Sequence, residues 1–479
     1  QDIFASVYYL VAAGKAPLAR DLISMWARNV YRMGYANHDF IRVGKEPGDC
    51  SDDPLWLVQA VYRYVILTGD RDFLNAEFPV ADSDGDRSLW ETLMSILIYC
   101  GRISVGAHGL PLLDKADWND TLRLDNHCLK GPQKEAAYRA QLEKDGDAWG
   151  APWKNTMSES CMNACLLKIA ADEIRELSAG LGKAKDGETA TEISERTRES
   201  MRNHAWKGDY YARALINDSR EGGFTYLGAG EDGLSADPGI NGSYFLNSFS
   251  WTILSDIADE EQIDRMLFQV ERHLKTDAGL KLCTLVHYDL LGVNTATSIY
   301  FPGDRENGGV FKHAAMMAAT AALRAARRVR DDVLARRLIS LAYFTIEKVL
   351  PYRTLQTPFV TKGNPRFCTQ YNNSETGENI GPILSGTASW LNLAIFEALG
   401  IGHEEGALRF SPVLREGQKN LSYRLNLNQD GTALAVDIES KEGAFRVGTG
   451  TRFMLDGKSC EARIPLPTDG AEHHLQIFL

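Results

Sequence analysis

Several things are scarce in this chain, and each scarcity removes a class of function. No apolar run approaches the ~20 residues that a membrane-spanning helix needs, and the first residues hold no basic segment followed by an apolar core and a cleavage site. The sequence therefore reads as that of a soluble protein with no membrane partner. Basic residues are outnumbered, 52 Lys and Arg against 64 Asp and Glu, which leaves a net charge of −12. A surface of that sign repels polyanions, so nucleic acid is not an expected partner. Eight cysteines show no CxxC spacing, and the closest pair, Cys161 and Cys165, lies one helical turn apart without a nearby histidine. Reduced buried thiols, no metal site and a cytoplasmic location are the expectation.

Length and hydrophobicity, by contrast, are ample. With 479 residues, 44% of them hydrophobic, the chain exceeds the ~250–300 residues at which single cores stop growing. Two domains are expected, 1–402 and 403–479. Apolar spacing in the first predicts eleven amphipathic helices, near 2–14, 16–33, 53–68, 87–103, 155–180, 188–206, 245–257, 259–275, 309–329, 331–349 and 382–399. Tight connections alternate with long Gly-, Asp- and Asn-rich ones, the organisation of stacked helical hairpins with functional loops gathered at one end. The fold class predicted is mainly α: an (α/α)6 barrel, whose twelfth helix either precedes Gln1 or escapes the pattern. After Gly402 the period changes to two, as in Tyr423-Arg424-Leu425-Asn426-Leu427, with hairpin signals at Asp430-Gly431, Asp456-Gly457 and Asp469-Gly470. This predicts a small C-terminal antiparallel β domain.

Four stretches carry groups suited to chemistry. Ala116-Asp117-Trp118-Asn119-Asp120 sets an indole between carboxylates, and a sugar ring stacks on such a face while carboxylates take its hydroxyls. One of those acids, its pKa raised by a partly closed pocket, is able to protonate a glycosidic oxygen. In Ser51-Asp52-Asp53-Pro54-Leu55-Trp56, Pro54 suits a first helical position and Asp53 its N-cap, which leaves Asp52 and the upstream Arg42 for a sugar hydroxyl. Gly303-Asp304-Arg305-Glu306-Asn307-Gly308-Gly309 leads into a helix beginning with Lys312 and His313, and cationic or N–H donors at a helix start suit an oxyanion. Ser385-Gly386-Thr387, near the start of another apolar helix, repeats the device.

In this order, SDDPLW, DWND, RENGGVFKHA and LSGTASW resemble the sequence blocks of glycoside hydrolase family 94, the inverting phosphorylases of cellobiose, cellodextrins, chitobiose and β-1,2-glucooligosaccharides. The resemblance implies an N-terminal β-sandwich and helical linker, both absent here, then the barrel and a C-terminal β domain. It implies Asp120 as general acid, with Trp118 lining the site and Glu306 binding sugar. His313, Ser385, Gly386 and Thr387 become phosphate ligands; Arg42 and Asp52 or Asp53 become donor-sugar ligands, and Gln370 a further sugar contact. Lys312 and Ala314-Ala315-Met316 depart from the family pattern around the histidine. No cofactor is implied beyond inorganic phosphate as co-substrate, and the partners would be a β-glucoside oligosaccharide and, as in related proteins, a second copy in a homodimer. Two competing readings are an inverting hydrolase on the same barrel, with Glu306 as base, and a non-catalytic or chain-length-controlling carbohydrate-binding domain of a larger glucan synthase.

Overall fold

A helix that is apolar on every side has to be surrounded, and this requirement organises most of the chain. The computed structural model describes residues 1–38, 46–145, 153, 155–217, 223–293, 300–350, 369–383, 386–404, 406–427, 431–441 and 443–479. Among them the helices are α1 (Asp2–Ala12), α2 (Ala16–Ala27), α3 (Asp53–Thr68), α4 (Leu89–Ile98), α5 (Gly131–Asp145), α6 (Cys161–Leu181), α7 (Ala184–Ser200), α8 (Leu246–Leu254), α9 (Glu260–Gln269), α10 (Lys312–Arg328), α11 (Asp332–Val349) and α12 (Thr387–Leu399). Every residue of α8 is buried. Its hydroxyls survive there because Ser250 and Thr252 donate to the carbonyls of Leu246 and Ser248 one turn back. The alanine-rich α10 is buried over nearly its whole length, and small side chains let its neighbours approach closely.

Those buried helices contact one another in a closed cycle: α1 packs on α3, α3 on α6, α6 on α8, α8 on α10, α10 on α12, and α12 returns to α1. The more polar helices form a second layer, α2 on α1 and α3, α4 on α3, α7 on α6, α9 on α8 and α11 on α10. All eleven expected helices are present: α3 keeps the expected bounds, α6 and α7 are shifted as well as shortened, and the rest are shorter. Three expected to run further, α4, α7 and α9, instead pass into five-residue π turns, Tyr99–Ile103, Met201–Ala205 and Val270–Leu274. There the apolar pattern continues while the winding widens. The additional helix is α5, whose sequence GPQKEAAYRAQLEKD has no apolar stripe. It lies outside the cycle and is held by the fully buried pair of Lys134 with Asp114, Nζ to Oδ2 2.6 Å.

Beyond α12 the chain forms two small sheets around a separate apolar cluster that includes Phe410, Val436, Ile438, Leu475 and Ile477. One sheet has Ala407–Phe410 between Ile401–Glu404 and Arg463–Pro465. The other has five strands, and it corrects the expectation of a wholly antiparallel module: Ala433–Glu439 and Glu472–Phe478 run parallel. Their connection passes through the Arg452–Leu455 and Lys458–Cys460 hairpin and then through the other sheet, so the last strand returns in the first direction. Asp456-Gly457 makes the expected hairpin turn, both residues at positive φ. Asp469-Gly470 does not, because the strands on either side belong to different sheets, and Asp430 lies outside the described residues.

Where α3, α6 and α10 face one another, burial pushes the Glu173 carboxyl up to about 8, partly offset by Arg63. The unfolded chain loses this proton near 4.5 while the folded protein keeps it, so Glu173 subtracts stability as pH rises through that interval. Glu173→Gln should therefore gain on the wild type in thermal midpoint between pH 5 and 9. A pH-independent difference between the two melting curves would show that Glu173 titrates normally.

Candidate functional site

Loops and the first residues of α1, α3 and α10 converge on one cavity of about 420 Å³, a size suited to a small ligand. Its walls include Asp52, Asp53, Trp118, Asp120, Glu306, His313 and Gln370, although nearly two hundred residues separate Asp120 from His313. Arg42 and Ser385 lie outside the described residues. Gly386 adjoins His313 at the cavity's edge, with Thr387 next in the chain, whereas Asp117 and Lys312 do not line the cavity.

The Asp117–Asp120 segment divides its acids between two tasks. Asp117 points inward and is wholly buried with Arg213, its two oxygens meeting the two guanidinium nitrogens at 2.6 and 2.5 Å. Ser160 Oγ and the backbone N–H of Asn119 donate to the same carboxylate. Asn119 closes a local turn by accepting from the backbone N–H and hydroxyl of Thr121. With those two residues fixed, Asp120 is turned outward and exposed within the cavity mouth. Trp118 stacks on Phe311 at 5.1 Å and meets His313 edge-on at 5.4 Å.

The Ser51–Trp56 segment is docked on this loop. Ser51 N–H donates to Ala116 O, its hydroxyl reaches the carbonyls of Leu113 and Ala116, and Asn163 donates to that hydroxyl. The capping expectation needs correction here. The N-cap is Asp52, α3 begins at Asp53, and neither carboxylate caps the helix. Asp52 is buried and accepts from Trp56 Nε1 at 2.7 Å, whereas Asp53 pairs with His38 Nδ1 at 3.0 Å. His38 went unnoticed in the sequence, where a histidine between Asn37 and Asp39 in a loop carries no distinguishing pattern.

Glu306 arrives from a tight loop in which Arg305 and Gly308 have positive φ and a β-carbon on Gly309 would lie 2.5 Å from the Arg305 carbonyl oxygen. Its carboxyl is hydrogen-bonded to the Thr121 side chain, joining the two loops. Next comes the strand Val310–Phe311, paired with Thr369–Asn372, which carries Gln370 and Tyr371 to the cavity. Lys312 takes no part in an anion site: it is buried, and its Nζ donates to Thr369 Oγ1 and Asn379 Oδ1 beneath the sheet.

His313, second residue of α10, is buried, and burial lowers its pKa to about 3, so the ring is neutral. Gln1 Nε2 lies 3.3 Å from its Nδ1, and since an amide nitrogen only donates, the ring proton is assigned to Nε2. Nε2 has no hydrogen-bond partner, nor does the buried hydroxyl of Thr387. A β-carbon on Gly386 would lie 2.1 Å from that nitrogen, so only glycine permits the two helix starts to approach this closely. Neither α10 nor α12 has a side-chain cap, which leaves first-turn N–H groups available to a ligand.

Carboxyls crowd the rest of the cavity. Burial raises Asp52 to about 8 and Glu306 to about 7, with Asp53 and Asp117 adding to the first and Asp120 to the second. Asp120 is also raised, by the protein around it more than by Asp53 and Asp117, and against the pull of His38. His38 is raised to about 9, chiefly by its hydrogen bond to Asp53. At neutral pH the cavity therefore offers protonated carboxyls as donors as well as carboxylates as acceptors.

A helical scaffold with a carboxyl- and aromatic-lined cavity is the kind of site that carbohydrate-active enzymes present. The chain belongs to the glycosyl hydrolase 94 superfamily, whose catalytic domain matches residues 35–400. Among curated proteins it is 24% identical over 450 residues to the N,N'-diacetylchitobiose phosphorylase of Vibrio proteolyticus, covering 90% of this chain and 47% of that one. It is 24% identical over 475 residues to the solabiose phosphorylase of Paenibacillus borealis, covering 98% and 54%. The chain thus spans about half the length of the curated relatives it matches. In fold it is similar to a GH63 mannosylglycerate hydrolase from Thermus thermophilus, with a TM-score of 0.50 and 11% identity over 82% of this chain and 91% of that one.

The two aspartates should separate cleanly in stability. Asp117→Asn leaves Arg213 buried without its counter-charge and should cost about 3–5 kcal/mol in urea unfolding. Asp120→Asn, on the cavity surface, should stay within about 0.5 kcal/mol. Equal losses would contradict the division of roles.

Proposed function

We propose that the chain catalyses phosphorolysis of a β-linked gluco-oligosaccharide or disaccharide, with inversion at the anomeric carbon. Asp120 gives its proton to the glycosidic oxygen as that bond breaks. Inorganic phosphate supplies the electron pair for the new anomeric C–O bond, and the products are an α-sugar 1-phosphate and a saccharide one unit shorter. No second catalytic carboxylate is needed, because phosphate takes the place that an activated water holds in a hydrolase. The sugar ring rests on Trp118, and Asp52, Asp53, Glu306 and Gln370 take its hydroxyls. Phosphate is held by His313 Nε2–H, Thr387 Oγ and the N–H groups at the starts of α10 and α12, with Ser385 completing the set. In this reading the closed cycle of helices is the inner ring of an (α/α)6 barrel, residues 1–402, and 403–479 form a β domain packed against it.

One observation carries the proposal: a raised carboxyl and the partnerless buried Nε2 of His313, at an uncapped helix start against which Gly386 is packed, meet in a single cavity. A water nucleophile has no use for that donor. Glu306 alone favours the hydrolase reading, since a carboxyl held near 7 suits a base. Incubation with phosphate and a panel of β-linked glucobioses and glucooligosaccharides should yield sugar 1-phosphate. Asp120→Asn should lower that rate ~10²–10⁴-fold. Full-rate release of reducing sugar without phosphate would make the enzyme a hydrolase. Gly386→Ala should raise the KM for phosphate by about tenfold or more, given that a 1 Å misplacement costs up to ~10²-fold, while the KM for saccharide changes little. Equal changes in both constants would place Gly386 outside the phosphate site.

A further inference from the structure

One arrangement beside Asp120 is not used by the reaction described above. An imidazole nitrogen of His38, the thiol sulfur of Cys50 and a carboxylate oxygen of Asp120 lie within 4.8 Å of one another, and among the described residues no other group of three such side chains does so. Cys50 Sγ is 3.9 Å from Asp120 Oδ1. Tetrahedral zinc, with bonds of ~2.3 Å to sulfur and ~2.0 Å to nitrogen or oxygen, spans edges of about 3.3–3.6 Å between ligands. Closing the three atoms around an ion therefore needs only a modest contraction.

The supports are those of a built metal site. Asp53 Oδ2 holds His38 Nδ1 at 3.0 Å, which orients the ring, as carboxylate–histidine pairs do behind metals, and makes Nε2 the nitrogen free of that bond. Cys50 and Asp120 come from the two docked loops, and the bridge between Cys50 and Ala116 fixes their relative position. A nitrogen, sulfur and oxygen set selects zinc, cadmium or cobalt over magnesium or calcium. Three protein ligands leave a fourth position for water. Asp120 lies 70 residues beyond Cys50 in the chain, and none of the three sits in a CxxC or histidine-pair spacing, so no local pattern signals a metal site.

We propose that His38, Cys50 and Asp120 bind a thiophilic divalent cation of the zinc type, and that occupancy withdraws Asp120 from proton donation and reversibly inhibits the enzyme. On binding, the Cys50 thiol proton and any proton on His38 Nε2 pass to solvent. The binding half of the proposal is independent of the proposed reaction; the inhibition half rests on Asp120 being its acid.

Cobalt titration of the whole chain separates the two. Co²⁺ should produce a thiolate-to-cobalt charge-transfer band that zinc abolishes and that Cys50→Ser lacks. His38→Gln should weaken binding at least ~10-fold while keeping the band at high cobalt. Zinc should inhibit phosphorolysis reversibly, EDTA should restore it, and the inhibition constant should rise at least ~10-fold in Cys50→Ser, measured against that variant's own uninhibited rate. A Cys50-dependent band in a protein without phosphorolysis would keep the metal site and remove the reading of the reaction. Absence of that band, or equal zinc inhibition of wild type and Cys50→Ser, would overturn the site.

Discussion

Much of the cavity depends on one desolvated ion pair. Asp117 and Arg213 are both wholly inaccessible, and two charges are seldom taken that far from water unless their geometry fixes something else. Here the pair clamps the Asp117–Asp120 loop to the segment just ahead of the strand Ala214–Leu215, which itself pairs with Glu159–Ser160 at the start of α6. Ser160 serves both ends, donating to Asp117 and capping α6 through Asn163. Hydrophobic side chains of equal volume would fill the space but would not specify which way the loop turns. The bidentate pair does, and the outward direction of Asp120 and the stacking of Trp118 follow from it.

With the loop so fixed, the cavity holds five carboxyls, Asp2, Asp52, Asp53, Asp120 and Glu306, in a protein already carrying net negative charge. They cannot all be ionised at once. Burial raises Asp52 and Glu306, the surrounding protein raises Asp120, and Asp53 is hydrogen-bonded to His38. Crowding of this kind keeps a proton on an acid at neutral pH. It also gives the cavity neutral carboxyls that are able to donate hydrogen bonds, and it lessens the repulsion that an anion would otherwise meet. The same feature that raises Asp120 thus makes the cavity tolerable to an anion.

How much of this could be read from the sequence depended on whether the signal was local. The buried helices α3, α8 and α10 announced themselves through apolar composition, and the β region through its change of period. The polar helix α5 did not, because tertiary ties such as Lys134 with Asp114, rather than an amphipathic face, hold it in place. The π turns escaped for a related reason: the apolar pattern is blind to a change in winding. In the cavity, the ordered motifs pointed to Asp120, Glu306, His313 and Gly386, but pairing was invisible. Nothing local says that Asp117 turns inward and Asp120 outward, that Lys312 leaves His313 for the sheet beneath, or that His38 stands beside Asp53.

Helix direction explains why sequence-distant groups meet at all. The cavity is lined from the first residues of α1, α3 and α10, with the start of α12 against His313. A second cavity, further along the same cycle, is lined by later residues of those helices and of α6 and α8: Tyr8, Arg63, Glu173, Leu254, Arg324 and Phe396. The buried helices therefore run in one direction around the cycle and present their N-termini at one end. Each N-terminus carries about half a positive charge in unpaired N–H groups, and those of α3, α10 and α12 lack side-chain caps. Parallel alignment focuses this partial charge where the carboxyls are densest. That field offsets their mutual repulsion without supplying a mobile cation, and it leaves fixed donors pointing at whatever anion enters.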